Sequence, residues 1–157
     1  MSETTVSLAP AAHIHGLSSE VTTRFGKFAV EPPGIIQFAE GLPGFEQSRA
    51  FVLLSSGNLV PLHVLHAVDG PPASFLAVDP REVLAGYRTT LTTGDRLKLG
   101  ADEDTRVLWL ALVTPHGDQD ASVNLRAPVV VNPLRMIGCQ VMPHNSLYPL
   151  RHPLGGD

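Results

Sequence analysis

Four histidines and one cysteine are the residues of this chain best suited to metal binding or nucleophilic chemistry. His63 and His66 stand three positions apart in "LHVLHAV", with His116 and His144 further along. Imidazoles converging with a carboxylate would hold zinc, iron or manganese, and a barrel carrying them would be a metal-dependent enzyme. The stretch reads as a strand, however, and positions i and i+3 of a strand point to opposite faces. No Asp or Glu stands at a supporting spacing, so neither a metal nor any other cofactor is expected. Cys139 follows Gly138 in an apolar stretch, and nothing nearby in sequence supplies a base or lowers its pKa, so inert packing is expected. No catalytic residue is assigned, which leaves recognition as the chemistry to look for.

Three places could recognise a partner. The first is "EGLPGFE", residues 40–46, where Leu42 and Phe45 flank a Pro-Gly pair. Pro43 presets φ for the first central position of a tight turn and Gly44 supplies a positive φ at the second, so Leu42 and Phe45 become its outer positions. A large apolar pair there either plugs the end of a core, the commoner fate, or forms an aromatic anchor with an acidic rim. The second is Asp102-Glu103-Asp104, the densest acidic cluster, which is either a solvated turn or a dock for a basic partner. The third is Tyr148 in the tail "YPLRHPL", where Pro149 and Pro153 remove donors and favour extended backbone. Asn124 and Asn132, which bracket "LRAPVVV", are expected to satisfy backbone groups in turns.

The elements that must position these residues are short. Fourteen Pro and fourteen Gly are scattered through 157 residues, as suits many strands joined by turns. Strands are expected at 35–38, 50–55, 62–68, 74–78, 87–93, 106–114, 122–132 and 136–142. "PREVLAGY", 80–87, reads as a short helix capped by Asp79, started by Pro80 and ended by Gly86. The polar stretch after Thr93 has room for one more helical turn. This pattern predicts an all-β, mostly antiparallel, β-barrel-like fold with one or two short helices. Residues 1–20 show no period and read as a flexible extension, leaving 21–157 as a single β-barrel-like domain.

Composition sets further bounds. The net charge of −4 argues against direct binding of nucleic acid through its phosphates and suits a basic partner. One cysteine excludes an internal disulfide and points to a reducing compartment. The longest apolar run, Val107–Val113, is far too short to span a bilayer, and no secretory signal is visible, so a cytoplasmic monomer without membrane contact is expected.

Four segments taken together resemble one family, the flagellar assembly factor W family of flagellated bacteria. They are "IIQFAEGLPGFEQSRAFVLL", "FLAVDPREVLAGY", "NLRAPVVVN", and "GCQVM" followed by "YPLRHPL". Their order and spacing match that family from about Phe25 to Leu154. The resemblance implies a small β-rich barrel-like domain that works by binding and is not an enzyme. It implies two partners: flagellin in the cytoplasm, and carbon storage regulator A, a dimeric protein that represses flagellin translation by gripping its messenger RNA. An assembly factor freed by flagellin export would bind the regulator and lift that repression. The alternatives are a flagellin chaperone with no regulatory partner and a small cupin-like metal-dependent enzyme.

Overall fold

The structure is a computed structural model, and it describes residues 5–7, 19–31, 34–55, 57–118 and 120–154. The fold class is all-β: a small, mostly antiparallel, β-barrel-like fold with two short helices. The chain divides into two compact units, Met1–Phe75 and Leu76–Asp157.

The first unit opens with β1 (Thr5–Ser7), β2 (Ser19–Thr23) and β3 (Gly26–Glu31), a three-stranded sheet in the order β1-β3-β2. β2 and β3 form an antiparallel hairpin whose tip is Arg24-Phe25, and β1 lies parallel to β3. The Thr23 hydroxyl ties the tip by accepting from the Phe25 N–H and donating to the Gly26 carbonyl, both at 2.9 Å. Thr5–Ser7 therefore departs from the featureless extension read over residues 1–20. Three residues carry too little pattern to register as a strand in sequence, and β1 exists only because β3 offers it a partner. Most of the rest of that segment lies outside the described residues.

β4 (Ile36–Gln37), β5 (Ala50–Ser55) and β6 (Leu62–Ala67) follow as an antiparallel meander. β5 carries Phe51, Val52 and Leu54, all fully buried, so both faces of this strand are covered. Phe38, Leu42, Val64 and Leu65 are buried in the core of the same unit. Each such side chain contributes about 1.5–3 kcal/mol through removal from water. β7 (Ser74–Val78) begins at the end of this unit.

In the second unit, Leu76–Val78 of β7 pairs antiparallel with β8 (Leu108–His116), and β8 turns back into β9 (Asp120–Val123). β10 (Val129–Asn132) pairs with β8 on one side and β11 (Ile137–Gln140) on the other, and all four of its residues are buried. β12 (His152–Leu154) pairs with β9. One strand was expected over 122–132, but the ladder breaks between Val123 and Val129. There the Asn124 carboxamide accepts from the Arg126 and Ala127 N–H groups (3.1 and 2.9 Å), turning the chain before Pro128.

The helices also differ from expectation. α1 (Pro80–Val83) has the expected Asp79 cap, with the Arg81 N–H donating to its carboxylate at 2.9 Å, but it ends after one turn, at Leu84 rather than Gly86. A four-residue nucleus is too short to propagate unaided, and Leu84 already takes extended backbone at φ −140°, ψ 104°. α2 (Thr93–Leu99) is longer than the single turn anticipated, since Thr92 and Asp95 form a reciprocal capping box and Gly100 closes it at φ 64°. Leu99 then packs with Val130 and Val141. The buried Asn132 carboxamide donates to the Leu99 and Gly100 carbonyls (2.8 and 3.2 Å) and accepts from the Leu134 N–H. The segment 87–93, read as a strand, pairs with nothing and is not one.

Candidate partner-binding surface

The turn at Leu42–Phe45 separates its two apolar residues. The Phe45 N–H donates to the Leu42 carbonyl at 2.7 Å, and Gly44 takes φ 85°, as the second central position of a type II turn requires. Leu42 is 2% exposed and Phe45 is 44% exposed. The plug and the presented residue are thus two ends of one hydrogen-bonded turn.

Phe45 does not dangle. Its ring meets Phe75 edge to face, with centroids 4.9 Å apart at 88°. Phe75 in turn lies 6.4 Å from Phe51, which packs 5.0 Å from Phe38. This row of four rings runs from the core to the surface, and Phe45 is its outer end.

The backbone around the turn is held from several directions. The Glu46 carboxylate accepts the Gly44 N–H at 3.0 Å, and that bond, with a second from its own N–H, holds its carboxyl below the ordinary 4.5. Arg49 donates through Nε to the Glu46 carbonyl (2.8 Å) and through Nη1 to the Ala39 carbonyl. The Asp69 carboxylate accepts the Arg49 and Ala50 N–H groups, both at 3.0 Å. Buried Ser48 donates to the Asp69 carbonyl at 3.2 Å. Gly41, at φ 66°, is needed for closeness as well as conformation: a Cβ there would fall 2.8 Å from the Glu46 Cα. Sequence reasoning missed Arg49, Asp69 and Phe75. The only trace of their role was the turn signal "DG" at 69–70, since nothing local places residue 69 beside residue 49.

Asp102, Glu103 and Asp104 form an exposed turn before β8. The Asp102 carboxylate accepts the Thr105 hydroxyl and the Asp104 N–H, both at 2.9 Å, and these bonds, the hydroxyl's first, lower its pKa from the ordinary 3.8. Arg96 donates to the Asp102 carbonyl at 2.8 Å. The first acid thus shapes the turn, while Glu103 and Asp104 project from it into solvent.

Tyr148 is half-buried against Tyr87, with ring centroids 4.4 Å apart. Its hydroxyl accepts the Arg88 N–H and its carbonyl accepts Arg126 Nε, both at 2.8 Å. It also lines a groove walled by residues 143–148.

Three of the four histidines are each bonded to a serine hydroxyl: His63 to Ser55 and His66 to Ser74 at 2.7 Å, and His116 to Ser122 at 2.8 Å. Burial pushes the His66 imidazole below its ordinary pKa. Among the described residues, no group of three or more His, Cys, Asp or Glu is arranged to hold a metal ion, and no helix is long and apolar enough to cross a membrane.

Fold and turn together define a small all-β protein that presents one aromatic side chain on a braced turn. The FliW protein family matches residues 20–154. A flagellar assembly factor FliW from Geobacter sulfurreducens is 38% identical over 133 residues, covering 84% of this chain and 83% of its own. Another, from Syntrophotalea carbinolica, is 33% identical over 138 residues, covering 88% of this chain and 99% of its own. A crystal structure of the flagellar assembly factor FliW matches with a TM-score of 0.78 at 26% identity, over 88% of this chain and 99% of that one. The chain belongs to the FliW family.

Proposed function

We propose that this chain is a flagellar assembly factor that acts by binding: it holds flagellin in the cytoplasm and, when free of flagellin, binds carbon storage regulator A and relieves repression of flagellin translation. Family membership supports the role in flagellar assembly. The observation that carries a binding mechanism is the half-exposed Phe45 on a turn braced by Glu46, Arg49 and Asp69. Bracing lowers the ordering cost of an anchor, which is what makes an exposed aromatic useful at an interface. An RNA-binding regulator must present basic surface, and Glu103 and Asp104 offer it exposed acids. Docked there, an acidic protein repels RNA even without covering the RNA site, while its own negative balance keeps it from binding RNA.

Gel-shift assays with the flagellin leader RNA test this. The protein alone is expected to leave the RNA unshifted, to release it from the regulator, and to lose that effect when flagellin is added. Retention of RNA by this protein alone sinks the mechanism. Binding to flagellin with none to the flagellin-free regulator would instead make it a chaperone without a regulatory partner.

A further inference from the structure

The stretch Tyr87–Thr92, "YRTTLT", has the composition of a strand and stands outside every sheet. Tyr and Thr favour pleated backbone because their side chains pack well across a ladder. Among the described residues, the backbones of Thr89, Thr90 and Leu91 enter no backbone–backbone hydrogen bond. The residues on either side are pinned. The Tyr87 hydroxyl donates to the Leu125 carbonyl and the Arg88 N–H to the Tyr148 hydroxyl, each at 2.8 Å, while the Thr92 N–H donates to the Asp95 carboxylate at 3.0 Å. Three residues with unpaired backbone are therefore held at both ends by bonds within the second unit, which is how a docking edge is kept in shape without a partner.

Room exists beside that edge. Arg88, Thr89 and Thr90 line a depression of about 320 Å³ floored by Pro80, Tyr87 and Trp109. The same three residues line the groove of about 690 Å³ walled by residues 143–148, where Leu147 is 96% exposed. The charge beside the edge is defined too. Arg81 is paired with Asp79 at 2.9 Å, and the Asp95 carboxylate caps α2. Arg88 is the cation common to both depressions, and it forms no ion pair among the described residues.

We propose that Thr89–Leu91 is a docking edge for an extended segment of a partner polypeptide. The segment pairs with it as an added strand, sets an acidic side chain against Arg88 and places an apolar one in the depression floored by Tyr87 and Trp109. Main-chain bonds supply the affinity in this mode, and the flanking pockets select the side chains. The choice of probe, monomeric flagellin, rests on the proposed function.

Hydrogen exchange on the full chain, alone and saturated with flagellin, tests the proposal. Among Thr89–Leu91, the alternate amides that face the added strand are expected to slow at least tenfold in the complex, and Arg88→Glu to raise the Kd at least tenfold while leaving thermal unfolding unchanged. Flagellin binding with these amides still at their free rates overturns the docking edge and leaves the proposed function standing. Absence of flagellin binding overturns both. Slowed amides with an unchanged Kd for Arg88→Glu would overturn the acidic side chain assigned to the partner.

Discussion

The Leu42–Phe45 turn is shaped by its own Pro-Gly pair but held in place by side chains distant in sequence, whereas the Asp102–Thr105 turn is shaped and held by its own four residues and one arginine. In the first, Asp69 and Ser48 join strand ends some twenty residues apart, and a row of rings fixes the tip. In the second, Asp102 and Thr105 close on each other. A turn held by tertiary contacts can present an apolar residue in one place, because the core fixes its position. A turn held locally can present only solvated charge, whose influence reaches through the field rather than through contact. The proposed function assigns the two different stages of docking, residence to Phe45 and encounter to Glu103 and Asp104.

Substitutions should separate these roles. Leu42→Ala is expected to have the largest effect, about 2–5 kcal/mol of lost stability in urea unfolding, because it opens a cavity in the core. A loss under about 1 kcal/mol would mean that the turn is not anchored as its burial indicates. Gly41→Ala comes next. It strains a left-handed residue by about 1–2 kcal/mol and drives a Cβ into the Glu46 backbone. Gly44→Ala carries only the conformational strain, since no atom lies within 4 Å of its added Cβ. Equal midpoints for the two alanine variants would contradict the close approach at Gly41.

Phe45→Ala should cost less, about 0.5–1.5 kcal/mol for the lost edge-to-face contact. The folded variant should dissociate from its partner at least tenfold faster. A variant that unfolds instead makes Phe45 part of the plug, and one that binds with wild-type kinetics removes it from the interface. Replacing Glu103 with Gln and Asp104 with Asn should shift stability by no more than about 0.5 kcal/mol. Association with the regulator should slow and its salt dependence flatten, with dissociation unchanged. Wild-type association at low salt would place the acidic dock elsewhere.

Acid provides the smallest and most local comparison. Glu46 and Asp102 are both held below their ordinary values of 4.5 and 3.8 by hydrogen bonds to the ionised form. Because the folded pKa is the lower one, each contribution is fully present above the ordinary value and is lost as pH falls through the folded one. The Gly44 and Asp104 amide resonances should therefore titrate with midpoints below the ordinary values of the Glu and Asp carboxyls that accept them. A midpoint at or above the ordinary value for either carboxyl would mean that the bond is not made in solution.

Much of the framework was legible in the sequence because it rests on local chemistry. Pro43-Gly44 determined the turn, Asp79-Pro80 the start of α1, and continuous apolar runs determined β5, β7 and β8. Short apolar runs broken by Pro and Gly pointed to an all-β fold. Tertiary structure decided the rest. The break at Asn124–Pro128, the pairing of β1 and the unpaired state of Thr89–Leu91 all depend on which neighbours the fold supplies. So does the difference between Leu42 and Phe45. Both are large, apolar and equally placed about one turn, and local sequence carries no term that distinguishes them. Burial is a property of the surroundings, and only the packing of Phe75 and the Asp69 staple sends one side chain inward and leaves the other at the surface.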